Sequence, residues 1–315
     1  MSKTMKAGAI QLCAELGNVT ANLEKADRLV EEAASQGARI IILPEFFTTA
    51  AAFHPAMLKA ALPIRGRATQ FLMDKARKHQ AYVGGSFIAS RNGELFNTFV
   101  LAMPDGSTAY HDKDQPTMWE NCYYTGGRDD GILPTPIGPI GAVLCWEHIR
   151  HRTARRLLGR VDLVVGGSCW WTVPQGWPPK GLWEWHHRKN MKLMASTPST
   201  LARMLGVPLV HAAHAGTFRA SMPCMPLVPY ESFYLGETQI VDASGVILRR
   251  MTREEGEGVI VAEVDPGRRA PSLTLGTSFW IPRLPLLFRL VWTYQNLHGA
   301  WYYHSARKSG ALVIP

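Results

Sequence analysis

The chain has 315 residues, with 34 Lys and Arg against 25 Asp and Glu, and a formal charge of +9 at neutral pH. That length suits one large α/β domain or two modest ones, and a 46% hydrophobic fraction excludes a disordered or fibrous chain. The positive charge does not make a nucleic-acid binder. Its arginines are dispersed apart from Arg150, Arg152, Arg155, Arg156 and Arg160, and positions 152, 155 and 156 share a helical face that reads as solvated surface.

A first strand is expected at 6–12, followed by a polar loop through Gly17 and Asn18. Leu23, Ala26, Leu29, Val30 and Ala33 recur at helical spacing, so a helix follows Thr20 and ends at Gly37. Ile40, Ile41, Ile42 and Leu43 form a second strand that stops at Pro44 and the carboxylate of Glu45. A helix near 67–79, a strand at 81–88, a hairpin turn at Asn92-Gly93 and a strand at 96–103 come next. A turn at Pro104-Asp105-Gly106 leads into the segment bearing Lys113.

The apolar run 141–144 stops at the thiol of Cys145, a basic helix covers about 149–159, and a strand lies at 161–171. A loop rich in Trp and Pro precedes a long helix reaching about Leu205. Strands at 207–213, 236–241, 246–250 and 259–264 complete the core, with a hairpin turn from Asp242 to Gly245. Gly84-Gly85, Gly126-Gly127 and Gly166-Gly167 lack the context of phosphate-binding loops and read as turns. No linker divides residues 1–270, and alternating strands and helices predict a layered α/β fold.

Cys13, Cys122, Cys145, Cys169 and Cys224 contain no C-x-x-C pair. Their scatter argues against zinc and against a disulfide framework, and fits a reducing compartment. No apolar leader follows Met1, so a cytoplasmic protein is expected. Residues 271–315 differ in character. The stretch 279–303 is apolar and aromatic, but Arg289, Gln295, Asn296 and His298 make it too polar to span a membrane. It also lacks the lysine-rich face of a lipid-surface helix, so a packed tail is expected and membrane association is not.

A lone cysteine is most often inert core filler. Cys145 differs because other groups accompany it at other strand ends. Glu45 can accept a thiol proton, and the ammonium of Lys113 can stabilise an oxyanion. Taken singly, Glu45, Lys113 and Glu120 read as surface charges; taken in this order they read as a site. With Pro116-Thr117-x-x-Glu120 and Cys145-Trp146-Glu147 added, the chain resembles the nitrilase superfamily of carbon-nitrogen hydrolases from residue 5 to about 265.

The resemblance implies a four-layer α-β-β-α sandwich, which periodicity alone does not distinguish from an open doubly wound sheet. It implies Cys145 as nucleophile, Glu45 as base, Lys113 with the Trp146 N–H as oxyanion donors, and Glu120 orienting Lys113. No cofactor or metal is expected, and the substrate is a small amide or nitrile passing through a thioester. Such relatives commonly place C-terminal tails at dimer contacts, so a homodimer or larger assembly is expected. Trp146, Cys169, Trp170 and Trp171 are expected to line the pocket. His186 and His187 lack metal-ligand partners at helical spacing, and Glu147 is equally consistent with the site or with a pair to an arginine. The Cys-Trp-Glu triplet resembles nitrilases, whereas the segment 46–53 after Glu45 looks closer to amidases, which leaves the branch open. The competing classes are a silent family member that only binds, and a basic RNA- or membrane-associated protein. The intact Glu, Lys and Cys disfavour the first, and the absence of recognition motifs disfavours the second.

Overall fold

The computed structural model describes residues 4–54, 56–174, 177–222, 225–277, 286–310 and 314. The apolar runs become strands. β1 (Met5–Leu12) and β2 (Ile40–Ile42) pair in parallel, with α1 (Val19–Ser35) connecting them. The Asn18 side chain caps α1 by accepting the Ala21 N–H, and Ala26, Leu29, Val30 and Ala33 form its buried face. Next come α2 (Ala56–Lys59), β3 (Leu62–Pro63), α3 (Arg67–His79), β4 (Tyr82–Arg91) and β5 (Glu94–Ala102). Asn92 and Gly93 turn the β4–β5 hairpin with φ of 51° and 71°, the left-handed backbone that this dipeptide tolerates.

The chain continues through β6 (Thr108–Asp112), β7 (Ile132–Leu133), β8 (Ile140–Leu144), α4 (His151–Leu157), β9 (Leu163–Ser168), α5 (Lys180–Leu205) and β10 (Leu209–His214). A hairpin not anticipated from the sequence, β11 (Thr217–Met222) with β12 (Met225–Phe233), precedes β13 (Gly236–Val241), β14 (Ile247–Thr252), β15 (Gly258–Val264) and α6 (Leu286–Lys308). Strand order is β6-β5-β4-β2-β1-β10-β9-β8-β7, with β15 on β1 and β13 on β10.

The two halves of this sheet face each other. Ala7, Ala9, Ile40, Ile42 and Phe99 from one half pack with Leu144, Leu163, Val165 and Val210 from the other. Alternate residues point outward, as the pleat requires. Leu29, Val30, Leu72 and Ala76 of α1 and α3 cover Ile10, Ile41 and Val83. Leu157, Leu201 and Leu205 of α4 and α5 cover Val143, Val164 and Leu209. The result is the four-layer α-β-β-α sandwich.

Two of the three glycine pairs are not turns. Gly84-Gly85 lies inside β4 and Gly166-Gly167 inside β9, because backbone and rings approach too closely for any side chain. A Cβ on Gly85 would stand 2.9 Å from Leu43 Cβ and from Phe47, and one on Gly167 would stand 2.8 Å from Pro44 Cα. Gly126-Gly127 does lie in a loop.

Of the tail, residues 278–285 lie outside the described residues, as does Cys224. α6 packs on the chain's own short 3-10 turn, Met118–Cys122. Gly299 abuts Asn121, and Asn121 donates to Asn296 at 3.0 Å. The buried Tyr303 hydroxyl accepts the Leu95 N–H at 3.0 Å and donates to Glu94 at 2.9 Å. No described helix is long and apolar enough to cross a membrane.

Candidate active site

Glu45, Lys113 and Cys145 all lie just past carboxyl ends of strands, where side chains leave the sheet and a cleft can open. Three backbone positions near these ends are strained. Phe46, Met118 and Cys145 have φ of 55°, 54° and 48°, a region that non-glycine residues rarely adopt. Cys145 opens a short 3-10 turn directly after β8, so its thiol leaves the strand at a sharp angle.

The side chains converge. Lys113 Nζ donates to Glu45 Oε1 at 2.9 Å and to Glu120 Oε2 at 2.7 Å. A carboxylate oxygen of Glu45, one of Glu120 and the Cys145 sulfur lie within 4.8 Å of one another. Glu120 also accepts the Thr117 N–H at 2.8 Å and the Tyr124 hydroxyl. Glu45 accepts the Asn97 amide on Oε1 at 2.8 Å and the Cys169 N–H on Oε2 at 2.9 Å. His214 Nε2 lies 2.7 Å from the Glu45 carbonyl oxygen. Burial pushes the His214 pKa down to about 4, so a neutral ring donates there.

Burial sets the protonation pattern. It raises the Cys145 thiol well above the usual cysteine range, and the Glu45 carboxylate reinforces that rise. The thiol is therefore protonated at rest and needs a base. Burial likewise raises Glu45, against the pull of Lys113. Burial alone would lower the Lys113 ammonium, but Glu120 and Glu45 outweigh it and hold the pKa well above the usual lysine range. Two carboxylates and a thiol are a possible metal-ligand set. Here the Lys113 ammonium bonds to both carboxylates and supplies the cation.

Above these groups opens a cleft of about 350 Å³. Trp146, Cys169, Trp170 and Trp171 line it together with Phe53 and Tyr230. α5 contributes Leu182 and His186, and α6 contributes Val291 and Gln295. The Trp146 indole stacks on Trp292 of α6 with centroids 4.9 Å apart. His187 instead faces Thr172 Oγ1 at 3.0 Å. Among the described lining residues there is no lysine or arginine, and Glu120 is the single carboxylate.

A family model for carbon-nitrogen hydrolases matches residues 6–271. The chain belongs to the carbon-nitrogen hydrolase family. Nitrilase 1 of Arabidopsis thaliana is 28% identical over 170 residues, covering 47% of this chain and 49% of that protein. The chain thus spans about half the length of that relative. An omega-amidase of Danio rerio is 33% identical over 177 residues, covering 49% of this chain and 63% of its own. A bifunctional nitrilase/nitrile hydratase of Lupinus angustifolius is 27% identical over 301 residues, covering 85% and 80%. Among solved structures, a carbon-nitrogen hydrolase from Helicobacter pylori superposes with a TM-score of 0.69 at 20% identity, covering 83% of this chain and 89% of that one. An amidase from Nesterenkonia gives 0.63 at 17%, covering 83% and 90%. At such identities the structural likeness speaks for the fold.

The cluster and the cleft also contain residues that the sequence did not single out. Asn97 is a polar residue at a fully buried position in the run 95–102, which is a readable signal. His214, Phe53 and the α6 residues left no local signal, because their partners lie far away in the chain, whereas Tyr124 bonds Glu120 only four residues away but ends no apolar run.

Proposed function

We propose that Cys145 attacks the carbon of a small amide or nitrile with an apolar or aromatic acyl group, releasing ammonia or amine and the carboxylic acid. The observation that carries this reading is the Glu45–Lys113–Glu120 cluster around a protonated thiol, at the floor of an aromatic cleft.

Glu45 accepts the thiol proton as sulfur bonds to carbon. Lys113 and the Trp146 N–H steady the negative charge that develops on the attacked oxygen or nitrogen. With an amide, the tetrahedral adduct collapses as Glu45 returns a proton to the departing amine, leaving a thioester. With a nitrile, the thioimidate first adds water and then loses ammonia to reach the same thioester. Glu45 then takes a proton from the hydrolytic water, and the acid leaves as the thiol is restored. Glu120 orients Lys113 through their 2.7 Å bond. The tryptophans of the cleft, with no lysine or arginine among its described walls, favour flat apolar substrates over acidic ones. A reducing cytoplasm suits a free thiol of this kind.

The test is ammonia release from a panel of aromatic, aliphatic and carboxylate-bearing amides and nitriles. Uncharged aromatic or apolar members should turn over best. No turnover of any member, or a preference for the carboxylate-bearing ones, would overturn the reading.

A further inference from the structure

Glu147 lies two residues beyond the thiol, is fully buried, and does not line the cleft. Each of its carboxylate oxygens reaches a different loop. Oε2 accepts the Leu144 N–H at 2.9 Å, immediately before Cys145. Oε1 accepts the Asp114 N–H at 3.0 Å, immediately after Lys113. One carboxylate therefore ties the backbone beside the thiol to the backbone beside the ammonium.

Charged groups hold that carboxylate from every side. His111 Nε2 stands 3.0 Å from Oε2, and its other ring nitrogen faces Asp129. Arg156 bonds both Oε1 and Asp114 at 3.3 Å, and Arg150 bonds Asp114 at 2.6 Å. Burial would raise the Glu147 pKa, but His111 and Arg156 outweigh it and keep the group ionised. Asp129 also accepts the Asp112 N–H at 2.9 Å, so the brace reaches the residue before Lys113 as well.

We infer that Glu147 is a positioning residue that sets the spacing between Cys145 and Lys113. The inference rests on the thiol-hydrolase reading above. Lys113 must meet the atom that becomes charged when Cys145 attacks its neighbour, and a misplacement of about 1 Å can cost about 10²-fold in rate. The strained φ of 48° at Cys145 makes the thiol depend on a bond that holds the turn, and the Leu144 N–H provides one.

Two variants separate position from charge. Glu147→Gln has one acceptor oxygen, so its NH2 must face one of the two N–H donors and that loop is released. Glu147→Asp keeps the charge but is one methylene too short to reach both loops. Both should lose about 10²-fold in kcat per titratable thiol with KM nearly unchanged. A second readout needs no substrate: the rate and pH profile of Cys145 alkylation by iodoacetamide, assigned by peptide mass. Both variants should alkylate more slowly, with a displaced profile. Wild-type kcat in Glu147→Asp would show that charge alone matters, and wild-type kcat and alkylation in both would show a purely structural role; either result overturns the inference. Should neither variant fold, Arg156→Gln decides: it removes the cation joining Glu147 to Asp114 and should lower kcat several-fold, whereas an unchanged kcat overturns the inference. A wild-type protein whose Cys145 neither alkylates nor turns over any substrate fails the thiol reading itself. An active wild type with unaffected variants fails only the brace.

Discussion

The backbone N–H of Cys169 donates to Glu45 Oε2 at 2.9 Å, while Asn97 and Lys113 hold the other oxygen of the same carboxylate. Two thiols thus line one cleft, and the second serves Glu45 through its main chain. A backbone donor survives any side-chain substitution except proline, so the two cysteines should respond differently to mutation.

Cys145→Ala should abolish turnover while leaving the thermal unfolding midpoint close to wild type, since only a thiol at the cleft floor is removed. Cys169→Ala keeps its N–H on Glu45 and should keep most of its activity. Steady-state assays with circular-dichroism melts check both. An active Cys145→Ala, or a dead but folded Cys169→Ala, would reassign the nucleophile.

Glu45→Gln cannot accept the thiol proton or activate water, and should be nearly dead in both half-reactions. Lys113→Ala removes the side-chain donor to the developing charge, which typically costs on the order of 10²–10³ in rate. Intact-protein mass spectrometry of the acid-quenched wild type should show an acyl mass mapping to the Cys145 peptide. A substrate turned over rapidly without an adduct, together with near-normal Glu45→Gln rates, would rule out the thioester route.

Stability should peak in pH near the ordinary histidine value. Burial opposes a charge on His111, but Glu147 and Asp129 raise its pKa from 6.5 to about 9. That stabilisation is complete below 6.5 and is lost as pH rises through about 9, an effect on the order of 3 kcal/mol. Burial lowers His148 and His214 to about 4, so their contribution is complete above 6.5 and is lost as pH falls through about 4. Denaturant melts across pH check this, and His111→Gln should flatten the alkaline limb. A stability that keeps rising from pH 7 to 10 would contradict it.

Leu286, Leu290, Leu297 and Trp301 share one face of α6 and are 60–72% exposed. Single subunits rarely present such a stripe to water. We propose that a second copy covers it. Light scattering should give a dimer or larger, and Leu297→Glu with Trp301→Glu should give a monomer that still binds and turns over substrate. A wild-type monomer that instead floats with anionic liposomes would replace the second copy with a lipid surface.

The strand ends were legible because a buried strand needs an unbroken apolar run, and a polar residue that ends the run is conspicuous. Glu45 after Ile40–Ile42 and Cys145 after Ile140–Leu144 follow that rule, whereas Lys113 follows a largely polar strand, Thr108–Asp112, and is singled out by its place between them. Residue order among the three carried the family. The local pattern also placed the buried face of α1 and the Asn92-Gly93 hairpin.

What holds those groups to one another was decided by the tertiary structure. Asn97 reaches Glu45 across 52 residues of sequence and Cys169 across 124, and Glu147 meets Asp114 across 33. Periodicity reports which face of an element is buried, not which distant element it faces. The same limit turned Gly85 and Gly167 from apparent turns into close backbone contacts, since only the neighbouring Leu43 and Pro44 exclude a side chain there. It also hid the part that α6 plays, supplying Val291 and Gln295 to the cleft and stacking Trp292 on Trp146.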